Sequence, residues 1–405
     1  MKYNIWNKWD PLRVVMLGNT FAPEYFHGIG GKVEDPLKRI QEETLVDLDY
    51  FKSVLKDFGA EVIQPEIDPN ERFIDQDGSW VRRRRAPLQP RDNHLVMGNT
   101  LVKTGYDHPA IHKCIDDYND GAMDVMYKGQ YLLLRTIEQE RYNYLRGEDW
   151  PAWERYANFD DGLTDIDYEI IKEINSYECL IPAPNITVVG KDVYIDEFSD
   201  FYVEQAQQWA DADFISIFKS ATPHEFRTNA LNIGGHNDGC FHTVGPGKII
   251  STTNIQYYEK TFPGWDVHIV PNEFSVGNKH FNEMLNTKFT QQFSWWLPGE
   301  ENNEEFTAFV NDWLGEWVGF VEETIFDVNV LMLDPHTVCV SNPHNEDMNA
   351  FFKKHKIEVV HVPWRHRFFH DGGLHCTTLD LVRDGVQEDY FPDRSGPLRD
   401  EGFDD

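Results

Sequence analysis

Ile186-Thr187-Val188-Val189-Gly190-Lys191-Asp192-Val193-Tyr194-Ile195 places two β-prone runs on either side of a glycine turn and reads as a hairpin. The form recurs along the chain. His94-Leu95-Val96-Met97-Gly98-Asn99-Thr100-Leu101-Val102 repeats it, as do His242-Thr243-Val244-Gly245-Pro246-Gly247-Lys248-Ile249-Ile250 and Val330-Leu331-Met332-Leu333-Asp334-Pro335-His336-Thr337-Val338-Cys339-Val340. Arg13-Val14-Val15-Met16-Leu17-Gly18-Asn19 supplies a fifth start, with the weakest second strand.

The segments after the hairpins repeat as well, and a repeated order of elements says more than a repeated turn. After the first start, 37–58 carries apolar Ile40, Leu45, Leu48, Phe51, Val54 and Leu55 at helical spacing, Gly59 stops it, and 60–63 reads as a strand. Stretches 201–210, 257–262 and 346–356 are likewise succeeded by strand-like 214–218, 265–270 and 357–363. Five units of an internally repeated α/β fold result, forming one domain over residues 1–385. Two long spacers, near 116–184 and 272–327, are insertions on this scheme. The second carries Trp295, Trp296, Trp313 and Trp317, read as packing an added helix near 306–321 onto the core. Residues 386–405 read as a loosely attached C-terminal tail.

Composition narrows the function. Of 405 residues, 40% are hydrophobic and 14% aromatic, enough to fill a core and to exclude a wholly disordered chain. Lys+Arg number 37 against Asp+Glu 69, a net charge of −32 that repels nucleic acid and anionic membranes and favours cationic ligands. The basic run Arg82 to Arg85 reads as ion pairs or a loop clamp. The polar start lacks a signal peptide's apolar core, and no apolar run approaches the ~18 residues of a membrane helix, so a soluble, cytoplasmic protein is expected. Five cysteines, odd in number and without short paired spacing, indicate neither a disulfide framework nor a zinc site.

Chemistry concentrates in three segments. Gly372-Gly373-Leu374-His375-Cys376 sets a cysteine after a glycine pair, where backbone amides can approach a ligand and lower a thiol's pKa. Gly234-Gly235-His236-Asn237-Asp238-Gly239-Cys240-Phe241 supplies a histidine able to move a proton, with an acid two residues on. Pro90-Arg91-Asp92 precedes the second hairpin as His236 precedes the fourth, so Asp92, His236 and Cys376 meet if the units surround a common axis. A local Arg91–Asp92 ion pair is the plainer alternative.

Those motifs, in that order and together with the strand Asn329-Val330-Leu331-Met332-Leu333-Asp334, resemble glycine amidinotransferase and its relatives, members of the guanidine-modifying pentein superfamily. The resemblance implies a five-bladed α/β propeller of pseudo-symmetric ββαβ units. It implies that Cys376 is the nucleophile that forms a covalent amidino-thioether, and that His236 is general acid and base. Asp92 would grip the guanidinium, and Asp238 would orient the same cation. The partners implied are a small-molecule guanidino donor and an amine acceptor, with no metal or cofactor, and homodimers are allowed.

Two departures stand out. The superfamily carries an Asp-x-x-Asp pair before the third hairpin, where this chain has Pro182-Ala183-Pro184-Asn185. Asn185 then binds substrate through its amide, or Glu178 substitutes for the lost acid. The alternative match to Asp211 and Asp213 is rejected, because those residues follow a helix and open the closing strand of the third unit. Beyond Gly247, the arginine that anchors the donor carboxylate is replaced by Asn254-Ile255, leaving Arg227, Arg365 or Arg367 as substitutes, or a guanidino compound without that carboxylate. A hydrolase of the same fold and a non-catalytic pentein binding module are the competing functions.

Overall fold

The computed structural model describes residues 2–73, 86–103, 108–119, 183–196, 225–231, 236–252, 258–270, 297, 299–300, 302–314, 327–370 and 372–394. They build a mixed α/β structure with five small sheets. Strand β1 (Leu12–Leu17) leads through helix α1 (Gly31–Phe58) to β2 (Glu61–Ile63), its parallel neighbour. Then come the antiparallel pair β3 (His94–Met97) and β4 (Thr100–Lys103), and the sheet of β5 (Ile186–Val189), β6 (Asp192–Asp196) and β7 (Arg227–Leu231). The fourth sheet contains β8 (Phe241–Gly245), β9 (Lys248–Ser251) and β10 (Asp266–Ile269). The fifth contains β11 (Leu331–Asp334), β12 (Thr337–Val340) and β13 (Glu358–His361). Finally β14 (Thr378–Arg383) runs back antiparallel to β1.

One pairing rule runs through four sheets: an antiparallel pair, then a parallel third strand reached through a helix or a longer connection. Short helices at Tyr258–Thr261 and Glu346–Lys354 make the crossover in the fourth and fifth sheets, as α1 does in the first. In the second unit only the hairpin lies among the described residues.

The first unit differs from its sequence reading. Its β1 is not the opening strand of a hairpin but stands where the second strand stands elsewhere, and β14, from the far end of the chain, takes the opening place. The weak second run after Gly18 has this physical cause. In the third unit, the parallel partner of β6 is Arg227–Leu231; the expected strand at 214–218 lies outside the described residues, with Asp211, Asp213 and Glu178. The order of the third sheet therefore gives no ground for setting Asp211 and Asp213 aside.

Local chemistry accounts for the turns and ends. Gly98 and Gly190 adopt φ of 54° and 60° in two-residue hairpin loops, a region glycine enters without steric cost. Helix α1 ends in a left-handed Gly59, with Gly59 N donating to Lys56 O and Ala60 N to Leu55 O, the Schellman pattern. Its Leu37, Ile40, Leu48, Phe51 and Leu55 are buried along one face. The helix Glu304–Leu314 buries Phe306 and Val310 in the same aromatic cluster as Leu37 and Ile40 of α1. Of the tryptophans expected to pack there, Trp295, Trp296 and Trp317 lie outside the described residues, as does the Trp313 side chain.

The described part of the C-terminal segment, residues 386–394, is not loose. Arg394 Nη1 donates to Asp192 Oδ1 at 2.7 Å and to the Tyr194 hydroxyl at 3.0 Å, and Phe391 is buried among Phe262 and Trp265. A β-carbon on Gly190 would meet the carbonyl of Glu388 and, at 2.8 Å, the Tyr390 ring. Residues 386–394 thus form a strap across the third and fourth sheets; 395–405 lie outside the described residues. No helix among the described residues is long and apolar enough to cross a membrane.

Each sheet is graded from inside to outside. The opening strands β3, β5, β8 and β11 are buried almost throughout, whereas the third strands β2, β10 and β13 are half-buried or exposed. Residues just ahead of an opening strand therefore adjoin the buried side of their sheet, some of them buried and some half-buried.

Candidate active site

That position is where the candidate residues stand. Asp92 lies two residues before β3, Asn185 directly before β5, His236 to Asp238 before β8, and Cys376 two residues before β14. Asn329 holds the equivalent place before β11. Five sheets contribute one short segment each.

Asn329 ties the cysteine loop together. It is fully buried, and its Oδ1 accepts from the backbone N–H of His375 at 2.9 Å and of Cys376 at 3.1 Å. Its Nδ2 donates to Cys376 Sγ at 3.0 Å and to the Asp238 carbonyl at 3.1 Å. One amide thus holds the thiol, its backbone and the neighbouring acid segment. The glycine pair serves this contact: a β-carbon on Gly373 would lie 2.5 Å from Asn329 Oδ1, and one on Gly372 would collide with the Gln89 amide. Both glycines make room for protein side chains, and Gly372 N already donates to Arg367 O, which corrects the reading of free amides approaching a ligand.

Asp238 is 1% exposed. Its Oδ2 accepts from His375 Nδ1 at 2.6 Å and lies 3.7 Å from Cys376 Sγ. Burial first, then the charges of Arg91 and Lys8, hold the His375 imidazole well below its ordinary pKa. A neutral ring against a carboxylate donates through Nδ1–H, leaving Nε2 as an acceptor. The sulfur is buried, at 2% exposure for its residue, but its neighbours are an amide and a carboxylate. Burial pushes the Cys339 and Cys114 thiols up to about 12 and about 11, as expected of structural cysteines.

His236 is half-buried and caps the four-residue helix Asn237–Cys240. Asn237, fully buried, donates from Nδ2 to the Asn185 carbonyl at 2.9 Å, which sets Asn185 against the His236–Asp238 segment. Asn185 Oδ1 is buried without a hydrogen-bond partner among the described residues. Asp92 is half-buried in its turn. Beside it Arg91 reaches across to the cysteine segment, with Nε donating to the carbonyls of His375 at 2.9 Å and Thr378 at 2.8 Å, and Nη2 to Asp380 at 2.9 Å. The ion pair of Arg91 is therefore with Asp380 and not with Asp92.

Direct contact joins Cys376 to Asp238, Asn237 links Asn185 to the histidine segment, and Arg91 links the Asp92 turn to the cysteine loop. Asn329, His375 and Arg91 carry this assembly without having been singled out as site residues. Asn329 could have been found by extending the repeat to the fifth unit. Two of the substitute arginines are engaged elsewhere: Arg227 with Asp192 and Asp389, and Arg365 with Asp47. Asn254 and Ile255 lie outside the described residues, as do Gly234 and Gly235.

No family model matches the chain. It is 23% identical over 423 residues to the mitochondrial glycine amidinotransferase of Xenopus laevis, an alignment that covers 95% of this chain and 84% of that protein. Among solved structures, an amidinotransferase of saxitoxin biosynthesis from Microseira wollei superposes with a TM-score of 0.56 at 16% identity, covering 96% of this chain and 99% of that one. The inosamine-phosphate amidinotransferase of Streptomyces griseus superposes with a TM-score of 0.53 at 17% identity, covering 96% and 99%. The chain is thus similar to amidinotransferases along nearly its whole length and has their fold.

Proposed function

We propose that this chain is an amidinotransferase, moving an amidino group from an arginine-like guanidino donor to a primary amine through a thioether on Cys376. The carrying observation is the thiol held between the Asn329 amide and the Asp238 carboxylate, in a chain alignable with amidinotransferases over 95% of its length. In this reading the five sheets are the blades of the pentein propeller, and their opening strands converge on the site.

The Cys376 thiolate attacks the guanidinium carbon, forming a C–S bond. His236 protonates the departing amine as its C–N bond breaks, then takes a proton from the acceptor amine, which attacks the carbon and expels the thiolate. Atoms and charge balance over the two halves. Asp92 and Asp238 face the cation, and the orphaned Asn185 amide oxygen accepts an N–H from it in place of the missing acid. The Asn329 N–H stabilises the thiolate against the repulsion of Asp238. A reducing, cytoplasmic setting suits a thiol nucleophile and the free thiols at Cys114 and Cys339.

Arginine incubated with a panel of primary amines tests the reading. Ornithine release is expected to depend on the amine and to vanish in Cys376→Ala. Urea or ammonia release without any amine would make the protein a hydrolase instead. Absence of both turnover and an intact-mass adduct over a panel of guanidino donors would make it a binding module.

A further inference from the structure

Asp238, His375 and Lys8 all line one partly open cavity of about 30 Å³. Lys8 is 8% exposed, in a segment leading to β1, and it makes no hydrogen bond or ion pair with any described residue. A buried lysine is rare unless it is paired. Two acceptors on the same cavity are equally unserved among the described residues: Asp238 Oδ1 and His375 Nε2. The other charged groups on the wall, Arg91 and Asp380, already bind each other, and Asp380 is also held by Arg383. One unmatched donor thus faces two unmatched acceptors, across a space large enough for a single bridging water.

We infer that Lys8 is a positioning residue for the Cys376 thiolate, acting across this cavity through Asp238 and His375 without touching the reacting atoms. This deepens the proposed function and rests on it for the role of the thiolate. The charges meeting Lys8 come from every packed element: Asp238 and Cys376, then Arg91, Asp380, His375 and the nearby His242. Burial lowers the Lys8 ammonium to about 8, with Asp238 the foremost group opposing the fall, so the amine is mainly charged at pH 7. Its charge offsets that of the Asp238 carboxylate beside the sulfur. Neutral His375 then has a fixed acceptor for Nδ1–H, and the Asp238 carboxylate that accepts from the thiol at 3.7 Å repels the thiolate less.

The test reads the thiol without substrate. The thiolate absorbance near 240 nm is titrated in the full chain and in Lys8→Met, with Cys376→Ala in each background as the blank. The Cys376 midpoint is expected to rise by about one unit in Lys8→Met, equivalent to about tenfold less thiolate at a fixed pH below it. A folded Lys8→Met with an unmoved midpoint would overturn the inference. So would failure of both Lys8→Met and Lys8→Gln to fold, since Lys8 would then serve stability alone. A shifted midpoint in a chain that turns over no guanidino compound would remove the proposed reaction and leave the Lys8–thiol coupling standing.

Discussion

Asn329→Ala removes four contacts at once, and their chemistry separates two effects. The Nδ2–H donated to sulfur at 3.0 Å is worth about 1.5–3 kcal/mol when the acceptor is a thiolate. At 1.36 kcal/mol per unit, its loss raises the thiol by roughly one to two pKa units, a fall of about 10- to 100-fold in thiolate at fixed pH. The Oδ1 contacts serve the fold, since deleting them strands the buried N–H groups of His375 and Cys376 at about 1–3 kcal/mol each. A total of about 2–6 kcal/mol lies within the usual stability of a domain, so the variant should remain folded at 25 °C. Asn329→Asp keeps an acceptor for both N–H groups but loses the donor and adds charge, so it should cost less stability and shift the thiol at least as far. The assay is the rate of Cys376 alkylation by iodoacetamide from pH 5 to 10, located by peptide mass, with urea unfolding on the same samples. An unchanged pH midpoint in Asn329→Ala, alongside the expected stability loss, would reduce Asn329 to a loop brace with no hold on the thiol.

Two further expectations concern the ends of the chain. Burial pushes the Asp10 carboxyl up to about 6 against the opposing charge of Arg383, so the folded state holds that proton more tightly than the unfolded chain. Stability is therefore lost as pH rises from about 4 through 6. Asp10→Asn should raise the melting temperature at pH 7.5 and leave it unchanged at pH 4; no gain at pH 7.5 contradicts the assignment. Arg394→Ala removes one of the two cations on the fully buried Asp192, which keeps Arg227, and should cost about 1.5–3 kcal/mol in urea unfolding. A loss under about 1 kcal/mol would show that the strap contributes little.

The sequence is legible where the physics is local. Hairpins turning at Gly98-Asn99 and Gly190-Lys191 carry their signal in four residues, and α1 displays its buried stripe and its Gly59 stop. The partner of β1 was not legible, because β14 comes from the opposite end of the chain and no local pattern announces it. Strand β7 hid for another reason: Arg227-Thr228-Asn229 is polar because Arg227 and Asn229 both bind Asp192, so the run lacks an apolar signature. At the site, Cys376 and Asp238 were readable from residue type and spacing. Asn329 was not, since an asparagine signals no chemistry until the repeat gives it a position. Lys8 was hidden in an acidic chain, where a cation is expected to remain in solvent, and Arg91 read only as a local partner for Asp92; only the fold reveals which are desolvated.

The sheet that joins β14 to β1 also sets a timetable. On a growing polypeptide, β1 emerges early with its opening edge unclaimed and waits for residues 378–383 to leave the ribosome. Cys376 lies immediately upstream of that clasp, so the event that closes the first sheet also seats the sulfur beside Asn329. Unfinished translation products therefore lack the cradle around the Cys376 sulfur, and assembly of the candidate site coincides with completion of the tertiary structure.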